Sequence, residues 1–440
     1  MSIFLLALSM GVRSQFVEKP LNYQVSGDYY LPCFFSVVDI DRAWLGTKHY
    51  LGTGQFDSYT YAVHTNDGGD TWIFDSIPAP APANISSVCA LDENTCFYAM
   101  IENNMNGSVW KTIDGGATWT RKTTNQFLGG FLNFYHAFTA TDGLAMGDPN
   151  GGYFEIYSTS DGGETWTRID SVDIPASLIG EFGNSDSYSA LGDNIWFGSN
   201  LGRCFKSVDR GQHWTVSSVG EGNGEFDVAF STPQKGVFFD YGFNSSTLFY
   251  KSEDGGNTWV SDSIEKNKIL GHICPVSGID GGFVITDWDP VNALVNVFFT
   301  PDFFSTIIQL DSSLWAGPYV SFSDAYSGWL CGWGNDTNDI FKFTGVLTSV
   351  YNAVKAPEKL SIIPNPSSTD ALVKIPATLD SKSVQLRVYD MAGKIMEYRT
   401  IDSSTGWAAL NASGYPNGIY LVEILSADRL VDRQQWVVNH

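Results

Sequence analysis

Thr65-Asn66-Asp67-Gly68-Gly69-Asp70-Thr71-Trp72 is the first of five copies of one turn, which recurs at residues 112–119, 159–166, 207–214 and 252–259. The aspartates stand at Asp67, Asp114, Asp161, Asp209 and Asp254, in steps of 47, 47, 48 and 45 residues. A degenerate copy, Thr300-Pro301-Asp302, follows after another 48. So regular a period means one structural unit repeated about an axis, and its length suits one four-stranded antiparallel sheet. The residue types explain the turn itself. The aspartate can accept N–H groups within the turn, and the glycines can take the positive φ that a tight hairpin needs. Trp72, Trp119, Trp166, Trp214 and Trp259 close the copies and can bury their rings against a neighbouring strand.

Working outward, a strand-like run precedes each copy, as in Tyr61-Ala62-Val63-His64 or Arg203-Cys204-Phe205-Lys206. Two further runs separated by a turn lie upstream, and a short fourth run follows the Trp. Many short strands with Gly-rich turns at blade-length spacing predict an all-β chain, a seven-bladed β-propeller over residues 15–346. The seventh unit ends at Gly345 without an outer strand, whereas residues 15–21 read as a spare one. Pairing the two would close the ring and leave no open sheet edge.

The turn resembles the Asp-box, or BNR repeat, of sialidases, sortilin-like receptors, plant-type photosystem assembly factors and several glycosidases. That resemblance implies a propeller whose boxes sit on outer hairpins away from the ligand face, so the ten box residues Asp67 to Trp259 are structural. With a box in nearly every blade, the chain is most similar to the assembly-factor and sortilin-like group.

The chain carries a net charge of −23 over 440 residues. Residues 357–440 hold 8 basic and 9 acidic groups, leaving 17 against 39 and a charge of −22 on the first 356. An acidic surface repels nucleic acid and anionic membranes, which excludes both as partners. Residues 1–14 contain Ile3-Phe4-Leu5-Leu6-Ala7-Leu8 and read as a signal peptide cut before Gln15, although the usual basic start is missing. No other stretch is long and apolar enough to be a transmembrane segment. Export permits disulfides, and Cys89 and Cys96 flank a six-residue turn, so a bridge between them is the expectation. Cys33, Cys204, Cys274 and Cys331 read as buried fillers whose pairing the sequence leaves open; no two lie at metal-ligand spacing, so neither a metal nor a cofactor is expected.

After residues 347–357, which read as a linker, the composition changes. The segment holds Ile362-Ile363-Pro364-Asn365-Pro366, then Asp390 with Gly393-Lys394, then Gly418-Ile419-Tyr420-Leu421-Val422 and Gln435-Trp436-Val437-Val438. Its alternating apolar residues predict a small β-sandwich. Residues 358–440 resemble the type A C-terminal sorting domain of the type IX (Por) secretion system of Bacteroidetes. What this implies is an address: engagement of the type IX machinery, passage through the periplasm, and a secreted or cell-surface, outer-membrane-associated product.

Catalytic signals are thin. Three blades align as Gly130-Phe131-Leu132-Asn133, Gly180-Glu181-Phe182-Gly183-Asn184 and Gly224-Glu225-Phe226-Asp227. Glu181 and Glu225 therefore fall at equivalent places near the channel, where Asp148, Asp240, Asp287, His136 and His272 can also face. Glu181, Glu225 and Asp240 are the candidates for acid and base work on a glycosidic bond; a solvated acidic rim is the plainer alternative. A sialidase would grip its substrate carboxylate with three arginines, but Arg121 and Arg168 follow box tryptophans and Arg210 lies inside a box turn, so only Arg42 and Arg203 remain. Asp75-Ser76-Ile77, Asp170-Ser171-Val172 and Asp262-Ser263-Ile264 resemble a short Bacteroidetes O-glycosylation signal, which repeat geometry explains equally well. The leading expectation is a secreted propeller acting in binding or adhesion on a glycan or protein ligand at its channel. The alternative is a secreted, non-sialidase glycoside hydrolase.

Overall fold

The computed structural model describes residues 15–21, 29–51, 55–220, 226–240, 249–262, 269–289, 294–314, 319–331, 340–348, 361–374, 383–391, 394–402, 406–426 and 429–440. The segment read as a signal peptide, Glu225, Gly393 and most of the linker lie outside them. So do the side chains of Asp240 and Cys33. The chain divides into two compact units, residues 1–349 and 350–440.

The first unit is a β-propeller of seven four-stranded antiparallel sheets, each a meander in chain order except the last. Their first strands are Tyr29–Val37, Asn84–Ala90, Leu132–Ala137, Gly183–Leu191, Phe226–Phe230, Ile269–Pro275 and Tyr319–Phe322, which begin blades 1 to 7. Each contacts the first strand of the next blade, and blade 7 contacts blade 1. Blade 7 takes its fourth strand from the other end of the chain. Phe16–Glu18 pairs with Ile340–Phe343 in the register Phe16↔Phe343, Val17↔Lys342 and Glu18↔Phe341. Phe16 is buried with its ring 5.3 Å from that of Phe343, and Lys19 N–H donates to Ile340 O at 2.7 Å.

The repeated turn is held by the same bonds in each copy. In the first, Thr65 Oγ1 donates to Asp67 Oδ1 (2.9 Å) and accepts from Gly69 N–H (2.8 Å), while Asp67 accepts from Thr71 N–H (2.9 Å) and Thr71 Oγ1 (2.6 Å). The copies at Asp114, Asp161 and Asp254 repeat this to within 0.1 Å, and at Asp209 the imidazole of His213 replaces the threonine hydroxyl at 2.6 Å. The degenerate copy keeps the Asp302 bonds to Thr306. There Phe303 and Phe304 stand where the other turns have Gly-Gly or Arg210-Gly211, with φ of 56° and 69°. Both rings are buried on Phe283, and that burial offsets the steric cost of the left-handed backbone.

The tryptophans then latch blade to blade. Trp72, Trp166 and Trp259 donate their Nε1–H to Lys19 O (3.2 Å), Lys122 O (2.8 Å) and Ser217 Oγ (3.0 Å), each on or just after the outer strand of the preceding blade. Trp119 instead sets its ring edge against Trp44 of blade 1 and Tyr98 of its own blade.

The second unit is a sandwich. A three-stranded sheet (Ser361–Ile363, Asp370–Lys374, Trp407–Asn411) faces a four-stranded one (Ile395–Asp402, Ser383–Asp390, Gly418–Ser426, Arg429–Val438) over a core that includes Val373, Leu386, Leu410, Val422 and Trp436. Asn365 ties the Pro364-Asn365-Pro366 turn to the last strand, donating to Gln435 O (2.7 Å) and accepting from Val437 N–H (2.8 Å). Trp436 Nε1–H donates to Ser367 Oγ at 2.7 Å, Tyr420 OH donates to Pro416 O at 2.8 Å, and Asp390 accepts from Lys394 N–H at 2.9 Å. Among the described residues no helix is long and apolar enough to cross a membrane.

Two predictions follow from the closure and the turns. Phe16→Ala empties a buried site on the closing strand and is expected to lower the unfolding free energy by about 3–5 kcal/mol; an unchanged urea midpoint would show that the ring does not depend on this pairing. The Thr71 and Thr165 hydroxyls, reinforced by the N–H groups of the same residues, hold the Asp67 and Asp161 carboxyls down at about 2, against an ordinary 3.8. A depressed folded-state pKa contributes stability that is full above the unfolded value and is lost as pH falls through the folded one. Melting temperature should therefore fall between about pH 4 and pH 2, and the Asp67→Asn, Asp161→Asn double variant should flatten that slope.

Candidate functional site

The first strands of all seven blades surround an axial cavity of about 1100 Å³. Its two ends differ. Beside the start of the first strands the wall carries Asp148, Asp186 and Asp227 with Phe131, Phe182 and Phe226; toward their ends it carries small or uncharged residues such as Ser36, Cys89, Ser189 and Cys274. Among the described residues no lysine or arginine is part of the wall. The box turns follow third strands, which run parallel to the first, so they lie on the face opposite the acidic mouth.

Each acidic group is set differently. Asp148, near the end of the second strand of blade 3 (Gly143–Pro149), accepts from Asn133 Nδ2 (2.8 Å) and Gly183 N–H (3.0 Å); burial nevertheless raises its pKa. Asp227 accepts from Val228 N–H (2.9 Å) and Ser187 Oγ (3.4 Å), and lies 3.3 Å from His272 Nε2. Asp186 stands on a wide bulge. Gly183 lies opposite Ser199 and Tyr188 opposite Phe197, so four residues of the inner strand face a single residue of its partner. The extra length carries Asn184-Ser185-Asp186-Ser187 into the cavity, a use typical of bulges beside binding sites. Asp186 takes φ 58°, and burial, then the charge of Asp227, push its pKa well above the carboxylate range. His136 sits 3.4 Å from Tyr188 OH and is held neutral by burial, its pKa lowered to about 4.

Of the residues expected at the channel, His136, His272 and Asp148 reach the wall. Asp287 is buried on the second strand of blade 6 and is not part of it. Glu181 is elsewhere too: its side chain is fully buried in a two-point pair with Arg203 (Nε to Oε1, 2.8 Å) and accepts from Ser199 Oγ (2.6 Å) and Leu178 N–H (2.8 Å). Burial alone would raise this carboxyl, but the bonds from Arg203, Ser199 and Leu178 outweigh it and leave the pKa low. The other arginines are also taken. Arg121 pairs with Glu102, Arg168 with Asn150 O, Arg210 with Asp193, and Arg42 with Asp39 and Glu93.

The expected Cys89–Cys96 disulfide is absent; both are free, buried thiols. The register explains why. Cys89 lies opposite Phe97 and Cys96 opposite Ala90, so the two side chains project to opposite faces of one sheet and pack in different cores. Cys89 Sγ instead accepts from Ala137 N–H of the next blade (3.4 Å), and Cys274 Sγ does the same for Phe322 N–H (3.1 Å). Ser36 and Ser189 fill the same place in blades 1 and 4, bonding Ala90 and Phe230 N–H. Burial pushes the Cys89 thiol up to about 11 and Cys274 to about 12, which makes both poor nucleophiles. Among the described residues no group of His, Cys, Asp and Glu is arranged to hold a metal.

Residues 361–439 match the model of the Por secretion tail, the secretion system C-terminal sorting domain. The C-terminal unit is thus similar to a secretion-system sorting domain. In fold the chain is similar to YCF48 bound to D1 peptide, with 15% identity over 76% of this chain and 100% of that one and a TM-score of 0.53. A second structure, YCF48 from Cyanidioschyzon merolae, covers 75% of this chain and 98% of its own at 14% identity and a TM-score of 0.52. The GH74 xyloglucanase from Xanthomonas campestris aligns at 10% identity over 96% of this chain and 68% of its own, with a TM-score of 0.48. These identities speak to the fold alone. No curated protein matches the sequence.

Because the Glu181–Arg203 pair is buried, removing one charge strands the other. Glu181→Gln is expected to cost about 3–5 kcal/mol in urea denaturation. A variant as stable as the parent would show that the pair does not hold the blade.

Proposed function

We propose that this chain is a protein exported by the type IX secretion system whose propeller acts at the cell surface by binding a ligand in its axial cavity. The sorting domain supports the route. The observation that carries the binding reading is the cavity: it is large enough for a peptide or oligosaccharide segment, is lined from all seven blades, and mixes aromatic rings with a few polar groups at one mouth. The engagement of Glu181 by Arg203 weighs against hydrolysis. A carboxylate held low and saturated with donors cannot serve as the general acid of a glycosidase, and it lies outside the cavity wall.

The Asp-box turns are, on this reading, scaffold that holds the blades in a ring. The acidic propeller, and a wall that carries no Lys or Arg among the described residues, argue against nucleic acid or an anionic glycan as the ligand.

Two measurements test the proposal. A chain ending at residue 349 should accumulate inside the cell while the full chain reaches the surface or medium; equal export of both would refute the route. Purified full-length protein screened against peptides and neutral glycans should show saturable binding without product release, lost when Ser185→Trp fills the cavity. Release of sugar products from any glycan would decide for the hydrolase instead.

A further inference from the structure

The bulge of blade 4 points to the kind of ligand. Asn184 Nδ2 and Ser187 Oγ both donate to Phe226 O of the next blade, at 2.9 and 2.6 Å, so the bulge is pinned at both ends with Asp186 between them. Asp148 is answered by Asn133 and Gly183, and Asp227 by Val228, Ser187 and His272. The Asp186 carboxyl accepts no hydrogen bond from the described residues, and the next residue, Ser187, has its hydroxyl 3.4 Å from Asp227 Oδ1, so the two acids share one stretch of wall. An acid in that setting stays protonated until a cation reaches it, and among the described residues the wall carries no Lys or Arg that could do so.

A second feature adjoins it. The loop leading into the bulge exposes Leu178, Ile179 and Phe182, with Ile179 fully in solvent. Phe182 continues that apolar surface into the cavity wall, where Phe131 and Phe226 add aromatic faces. Carboxylates beside aromatic rings recognise an ammonium or guanidinium group. An exposed apolar rim at the same mouth suits side chains flanking such a group.

We propose that the mouth of the cavity takes an extended peptide segment of a partner protein. A lysine or arginine side chain of that segment reaches Asp186 and Asp227, and its apolar neighbours lie on Leu178, Ile179 and Phe182. This rests on the axial-binding reading and names its ligand. A free polyamine would satisfy the carboxylates but leave the apolar rim unused.

The test is fluorescence anisotropy of the full-length protein with four labelled peptides, Ser-Leu-Phe-X-Leu-Ser, in which X is Arg, Lys, Gln or Glu. The Arg and Lys peptides are expected to bind at least tenfold more tightly than the Gln peptide, and the Glu peptide more weakly than Gln. That preference should vanish in Asp186→Asn, whose folding is checked by melting temperature, and Ile179→Ser should weaken all four peptides. Spermidine at equal ionic strength should compete no better than NaCl. Equal affinity for the Arg and Gln peptides, or a preference that survives Asp186→Asn, overturns the cationic assignment while leaving axial binding standing. Displacement by spermidine at low concentration assigns the site to a small amine and refutes the peptide. No binding of any peptide, together with no cavity-dependent binding of neutral glycans, overturns both readings.

Discussion

A ring of blades is only as stable as the edge at which it closes, because an unpaired strand edge in one sheet exposes backbone donors and acceptors and lets its two neighbours separate. Here that edge is covered by Phe16–Glu18, drawn from the opposite end of the unit to pair with Ile340–Phe343. The closing strand does more than add hydrogen bonds. Phe16 enters the core with Phe343, and Lys19, the residue after the strand, accepts the indole N–H of Trp72 at its carbonyl and pairs with Asp70 of the first box turn. Closure therefore couples blade 7 to blade 1 through the same latch that joins other blades.

The axial cavity is a consequence of that closure. Seven first strands held side by side leave a shaft whose wall is set by which residues point inward. At the end near the box turns, Ser36, Cys89, Ser189 and Cys274 are small enough to bond the next inner strand directly, and they keep the wall tight and uncharged. At the other end the inner strands of blades 1, 2, 3, 4 and 6 bulge, the strand of blade 4 most of all, and the wall becomes aromatic and acidic. The two units answer different physical demands: the sandwich buries a small core of its own, and the propeller presents the shaft.

Much of the fold was legible because its determinants are local. Each box turn is closed by bonds between residues two and four apart, so Ser/Thr, Asp and Gly at fixed offsets announce it. The site was far less legible. Glu181 and Arg203 are 22 residues apart, and nothing in either neighbourhood says that they meet. Asp186 had no distinguishing motif, since Asn-Ser-Asp-Ser reads as a turn as readily as a bulge. Cys89 and Cys96 looked like partners because they flank a turn; a single-residue register decides which face each occupies.

By itself, then, the sequence determined the repeat, the turns that end its third strands, the all-β class and the tail domain, because each is written in residues a few positions apart. Tertiary structure alone decided what meets on the axis, since side chains from all seven blades converge there across hundreds of residues. It also decided that Asp186, which accepts no hydrogen bond from the described residues, lines the shaft while Glu181 is neutralised elsewhere, because only packing determines which acid finds a partner.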